Sequence, residues 1–289
     1  MERIALIGFG EAGAAFAAGA DWAPYARAYD RKTDDPDLRD AKHADYAAAG
    51  IAGAATSSEA SSGAAAVFSL VTADQALAAA QAAKLAPKAI WLDCNSVAPE
   101  TKRAAADAID AAGGRYVDVA VMAPVHPARR DVPLLVSGPH ADSGASMLAQ
   151  LGFSKIRVVA GAIGAASSIK MIRSVMVKGL EALSAECILA AEAAGVRDDV
   201  LASLDSSWRE ESWAARFDYN LERMLVHGTR RAAEMEEVAK TLETLGTGAT
   251  MTRGTIQRQR AIGSLTDTAP DGIGAKLDLL LSRQKDRAA

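Results

Sequence analysis

The spacing of hydrophobic and polar positions changes period once along this chain, close to residue 160. Ahead of that point, short apolar runs are separated by stretches of helical period. Ile4 to Ile7, Ala26 to Asp30, Val67 to Val71, Ala89 to Asp93 and Tyr116 to Val119 read as buried strands. Each is brief, largely apolar and bounded by turn-forming or polar residues. Two more strands are predicted at Pro133 to Ser137 and Lys155 to Val159, and helices at Asp74 to Leu85, Pro99 to Ala112 and Ser143 to Leu151. Pro99 suits the first helical position and Glu100 the first turn. This alternation predicts an α/β fold, with a Rossmann-type doubly wound sheet over residues 1–163.

Beyond Gly161 the strand signal stops. Residues 164–289 are expected to form an all-helical domain, opening on a long interdomain helix from Ser167 to Ala194 with Gly195 as its cap. Apolar residues cover more than one face of that helix, which places it in the core or in a dimer interface. Further helices are predicted at Asp198 to Ser206, Trp208 to Met224, Gly228 to Leu245, Met251 to Ile262 and Asp271 to Arg287. Trp208 and Trp213 are assigned to packing among these helices.

Composition narrows the function classes. The chain has 289 residues, enough for two domains, and a net charge of −4, which gives no general attraction for nucleic acid or anionic membrane. Half of it is hydrophobic but only 5% aromatic, so the interior must be built from small and aliphatic side chains. Apolar runs are too short or interrupted to span a bilayer. Met1-Glu2-Arg3 leads directly into a strand, so no leader is expected. Cys94 and Cys187 form no ligand spacing, so no metal is expected, and the default setting is cytoplasmic.

The chemistry starts at Gly8-Phe9-Gly10-Glu11-Ala12-Gly13, between the first strand and an alanine-rich helix. In that context G-x-G-x-x-G binds a dinucleotide. The first glycine makes the turn, the second admits the pyrophosphate, and the third lets helix and strand pack closely. Asp30, about 20 residues on, ends the second strand where a carboxylate would take the ribose hydroxyls. It favours NAD by repelling a 2′-phosphate, yet Arg31 and Lys32 follow and would neutralise one, so NADP stays open. Leu70, Val71, Thr72 and Asn95, at the ends of later strands, complete the expected cofactor contacts.

The stretch Gly161 to Lys170 resembles the G-x-x-G-x-G-x-x-x-K segment of the β-hydroxyacid dehydrogenases, a family within the 6-phosphogluconate dehydrogenase-like superfamily. The resemblance covers essentially the whole chain. It also rests on Gly8 to Gly13, on Asp93-Cys94-Asn95-Ser96-Val97-Ala98-Pro99 and on Asp118 to Val125. It implies an NAD(P)-dependent oxidoreductase acting on a hydroxy acid, with Lys170 as general acid/base and a homodimer as the assembly. A lysine shielded from water beside a cationic ring is suited to the role, because both effects favour its neutral amine. A lysine snorkelling from a buried helix would leave the same mark in sequence.

Departures from the family pattern fall on the substrate side. Ser174 stands where members carry Asn, and Val121-Met122-Ala123 replaces a loop of smaller residues. Ser96, with Asn95, replaces a Ser-Thr pair. In the helical domain, His227 and Arg231 share one helix face with Glu234 and are candidate substrate contacts. Ordinary pairing of Arg230 with Glu234 on a wet face explains that cluster equally well. Arg129-Arg130 is read as a solvated turn, and His126 as a lesser pocket candidate. Two alternatives remain: a reductase of imines or other C=X bonds on the same scaffold, whose members usually carry Asp or Tyr at the Lys170 position, and a non-catalytic NAD(P)H sensor.

Overall fold

The computed structural model describes residues 2–207 and 212–288, apart from several helical side chains beyond residue 174. It divides into two compact units, Met1–Val175 and Met176–Ala289.

The first unit is built on one sheet. In chain order its elements are β1 (Ile4–Ile7), α1 (Glu11–Ala17), β2 (Ala26–Tyr29), α2 (Pro36–Ala48), β3 (Ala52–Gly53), α3 (Ser57–Ser61), β4 (Ala66–Ser69), α4 (Ala76–Gln81), β5 (Ile90–Asp93), α5 (Pro99–Ala111), β6 (Arg115–Val121), β7 (Leu134–Ser137), α6 (Ala141–Gln150) and β8 (Ile156–Val158). The strand order is β3-β2-β1-β4-β5-β6-β7-β8, parallel throughout except that β7 runs antiparallel to β6. The order reverses between β1 and β4, the point at which open α/β sheets bind ligands beyond their carboxyl ends.

Both faces of the sheet are covered, so the central strands read as continuous apolar runs rather than alternating ones. Leu6, Phe68, Leu92 and Val119 pack with Phe16, Trp22 and Phe153 on one face. Ala5, Val67, Trp91 and Tyr116 pack with Ala105 and Ile109 on the other. At about 25 cal/mol per Å² of apolar area, these two layers supply most of the driving force for this unit.

The helix α7 (Ala165–Ala193) runs across the division between the units. Ala166, Ser167, Ala190 and Ala191 are buried, whereas Ile172 is 71% and Leu189 57% exposed in the single chain, so these two apolar positions are not core. The second unit continues with α8 (Arg197–Ser207), α9 (Trp213–Thr244), α10 (Thr250–Gly263) and α11 (Ile273–Ala288). Sequence predicted two helices, broken near Gly228, where the structure has the single helix α9. Gly228 is there for packing. A Cβ on it would lie 2.4 Å from the Gln259 carbonyl oxygen, and one on Gly263 2.4 Å from the Thr229 nitrogen, so α9 and α10 cross backbone to backbone. Glu186 caps α10 by accepting from Met251 N, Thr252 N and Thr252 Oγ1. Lys276, 1% exposed, ties α11 to Asp218 and Glu222 of α9. Trp213 does not anchor this packing: it is 53% exposed, with its ring against that of Phe217. Trp208 lies outside the described residues.

Candidate functional site

The three glycines of the first turn have separate physical reasons. Gly8 has φ +88°, and a Cβ there would sit 2.4 Å from the Leu70 carbonyl oxygen, so the fold itself requires it. Gly13 brings α1 against the turn, where a Cβ would press on the Phe9 ring at 3.1 Å. Gly10 is required by neither. Its φ is −91° and nothing lies within 4 Å of where its Cβ would be. Open space in front of a glycine that the chain does not need for itself fits a ligand whose charged group must approach the backbone. Gly10 is also the N-cap of α1 and supplies no side-chain acceptor, which leaves the helix start to an anion.

Asp30 is fixed by that turn. One carboxylate oxygen accepts from the Phe9 amide at 2.7 Å and the other from the Lys32 amide at 3.0 Å. Each oxygen keeps a further lone pair for a ribose hydroxyl. Arg31, Lys32, Glu11 and Thr72 are exposed around it, and Ala12, Leu70 and Val71 are partly buried. The Phe9 side chain is core, 1% exposed and edge-on to Tyr46 at 5.1 Å, so only its backbone can meet a ligand. Tyr29 donates to Asp34, and burial, helped by that bond, pushes its phenol up to about 12.

The other half of the site is a polar row that the sequence reading missed. Ser69, Asp93, Asp118 and Ser137 are register partners on β4, β5, β6 and β7, and all are fully buried. Lys102 of α5, also fully buried, donates to the Asp93 carbonyl at 2.6 Å and its Oδ1 at 3.0 Å, and pairs with Asp118 Oδ1 at 3.4 Å. Tyr116 donates to Asp93 Oδ2 at 2.7 Å, and burial, with Asp93 beside it, drives its pKa strongly upward. Acidic residues closing or interrupting apolar strands were the available signal, because a buried carboxylate demands a partner.

This row has an end at Asn95 and an end that holds a helix. Asn95, just past β5, donates its amide hydrogens to Ser69 Oγ and Asp93 Oδ1, both at 2.8 Å, while its Oδ1 is buried without a partner. An orphaned buried acceptor costs about 1–3 kcal/mol unless a donor arrives. A carboxamide or hydroxyl of a bound cofactor or substrate would relieve it. At the other end Asp118 accepts from the backbone of Gly164 and Ser167, each at 3.1 Å, and from Ser167 Oγ at 2.5 Å. Ser137 Oγ accepts from the Ala166 amide at 3.0 Å. Together they cap α7.

Lys170, one turn into that helix, is half-buried. It is within electrostatic reach of Cys94, the neighbour of Asn95. Burial pushes the Cys94 thiol up to about 12, with the positive charges of Lys102 and Lys170 opposing it. Ser174 donates to the Lys170 carbonyl at 2.9 Å, so its hydroxyl hydrogen is committed to the helix. Val121 is buried at the end of β6, Met122 is half-buried, and Ala123 and Ser96 are exposed. His126 is exposed as well. Arg130 is not a solvated charge: it donates to the carbonyls of Phe16, Ala18 and Gly19 and closes the C-terminal end of α1. His227 and Arg231 are half-buried on α9 in the second unit, and the Glu234 side chain lies outside the described ones. Among the described residues no group of three side chains suits a metal, and no helix is long and apolar enough to cross a membrane.

Residues 3–161 match the NAD binding domain of 6-phosphogluconate dehydrogenase, and residues 191–262 match a domain of unknown function, DUF1932. An uncharacterized 28.5 kDa protein of Methanothermus fervidus is 31% identical over 178 residues, which cover 60% of this chain and 66% of that protein. A conserved hypothetical protein from Sinorhizobium meliloti 1021 is 37% identical, over 98% of this chain and 97% of its own, at a TM-score of 0.59. A conserved protein of unknown function, described as structurally similar to 3-hydroxyacid dehydrogenases, is 27% identical over 91% and 97%, at 0.53. The imine reductase of Streptomyces aurantiacus, 18% identical over 96% and 99% at 0.68, shares the fold.

Proposed function

The chain belongs to the family of the 6-phosphogluconate dehydrogenase NAD-binding domain, and from that premise we propose that it oxidises or forms a hydroxy acid, with Lys170 as its general acid/base. The observation that supports this reading is that the Lys170 charge acts on Cys94, the residue just before Asn95 at the carboxyl end of β5. The Gly8 to Gly13 turn and Asp30 would hold the dinucleotide, which when bound would supply or accept the hydride. Lys170 takes or returns the proton of the substrate hydroxyl. Asn95 Oδ1 accepts from whichever donor is seated at the strand end. Val121 and Met122 supply an apolar wall, and Ser96, Ala123 and Ser174 add small contacts.

Asp30 supports NAD as the preferred cofactor, while Arg31 and Lys32 leave room for NADP. The exposed apolar residues of α7, Ile172, Leu183 and Leu189, we assign to contact with a second copy of the chain. A second reading, reduction of a C=N bond, is favoured by Asn95, whose unfilled acceptor suits an amine N–H as well as a hydroxyl.

The test is a panel of short β-hydroxy acids with NAD+ and NADP+, run beside cyclic imines with NADH and NADPH, following the reduced nicotinamide. Turnover of a hydroxy acid that Lys170→Met abolishes supports the proposal. Turnover confined to imines supports the second reading, and cofactor binding without turnover across both panels contradicts both.

A further inference from the structure

We propose that Asp93, Lys102 and Asp118 act as one positioning unit that sets the acceptor oxygen of Asn95 and the start of the Lys170 helix in a common frame. The inference rests on the reading of Lys170 as the proton-transfer group and adds residues to it that touch neither substrate nor cofactor.

The path can be followed atom by atom. Flipping the Asn95 amide would turn its oxygen against Asp93 Oδ1, an acceptor with no hydrogen to give, so the carboxylate dictates which way the free oxygen points. Asp93 is held from three sides, by Tyr116, by Lys102 and by the Asn95 amide at 2.9 Å. The Lys102 ammonium reaches across to Asp118 on the next strand. Asp118 grips the first turn of α7 through Gly164 N, Ser167 N and Ser167 Oγ, and Ser137 holds Ala166 while donating to Asp118 at 3.0 Å. Ser167 and Lys170 are three residues apart, on one face of the helix, so the bond that seats Ser167 also directs Lys170.

Two carboxylates and one ammonium leave one net negative charge buried, and the N-terminal dipole of α7 is aimed at it. Such a group is costly to bury and is not needed to close the sheet, which is hydrogen-bonded on both sides of Asp93 and Asp118. Its use is precision. Proton transfer falls off steeply with misplacement, about a hundredfold for 1 Å. A clamp of several charge-assisted bonds converging on one carboxylate is the means at hand to hold a helix start that tightly.

The experiment compares the full-length protein with Ser167→Ala and Ser167→Thr, using 3-hydroxypropionate and 3-hydroxyisobutyrate as probes with NAD+. Ser167→Ala removes one bond to Asp118 and keeps the backbone donors, so the fold survives where Lys102→Met could lose it. The expected result is a fall in kcat of about tenfold, with KM for the probe and Kd for NADH within about twofold of the parent. Ser167→Thr, which restores the hydroxyl, should recover most of that loss. A Ser167→Ala protein that melts lower but keeps its kcat would show a purely structural clamp and overturn the inference. Lys170→Met separates the two claims. If it still turns over, the reading of Lys170 fails. If it is inactive while Ser167→Ala is fully active, only the positioning unit fails.

Discussion

Lys102→Met is the sharpest perturbation of the first unit, because it deletes a charge and almost nothing else. Methionine keeps the unbranched stem inside α5, while the ammonium between two fully buried carboxylates disappears. Neither carboxylate becomes a hydrogen-bond orphan. Asp93 keeps Tyr116 and Asn95, and Asp118 keeps Gly164, Ser167 and Ser137. The loss is therefore mainly coulombic, with two negative charges now facing each other across adjacent strands in register. Breaking a buried pair costs about 3–5 kcal/mol, and the surviving donors place this case near the lower figure. In a unit the size of Met1–Val175, about 3 kcal/mol lowers the melting temperature by roughly 6–12 °C. Calorimetry of the full chain reads the shift. The double variant Lys102→Met with Asp118→Asn returns the net charge to its original value and should recover about half of the loss. A single variant that melts within about 2 °C of the parent would refute the assignment of Lys102 as the charge that holds the row together.

Other outcomes follow from the geometry. Gly10→Ala should leave the melting temperature unchanged or slightly raised, since φ and space both admit a methyl, yet weaken NADH binding about tenfold or more in a fluorescence titration. Gly8→Ala should lower stability by more than about 1 kcal/mol through its positive φ and the Leu70 carbonyl, as thermal melting would report. In thiol labelling near neutral pH, exposed Cys187 should react and buried Cys94 should not until the protein unfolds. The Cys94 thiol, normally titrating at 9.0, is raised to about 12 in the fold, so between those values the unfolded chain binds fewer protons and stability falls as pH rises. Gly228→Ala or Gly263→Ala should destabilise the α9–α10 pair by about 1–3 kcal/mol, seen as a lowered urea midpoint of the second unit, because the backbones have no room to part.

What the sequence disclosed was local chemistry. The glycine turn, Asp30 and the apolar strands can be read because each depends on residues adjacent in the chain, and the structure has a strand at each of the predicted apolar runs. Lys102 could not be read the same way. Between Thr101 and Arg103, on a helix rich in alanine, it looks like any solvated lysine, and its partners are carboxylates on two strands that only the folding of the helix onto the sheet brings to it. Gly228 misled for a related reason. A glycine inside helical period signals a break when only its own helix is considered, and a close crossing once α10 is known. Arg130, taken for a solvated charge, is claimed by three carbonyls more than a hundred residues earlier. The carboxylate of Asp30 has its ligand role legible in sequence, but not its second duty of fastening the turn to β2.

The most direct test of the account is turnover of a hydroxy acid by Lys170→Met, measured beside its affinity for NADH. The account predicts that NADH binds as in the parent while kcat falls by about a hundredfold or more, the scale of a lost general acid/base. A variant that binds NADH and oxidises the hydroxy acid at the parental rate would contradict it.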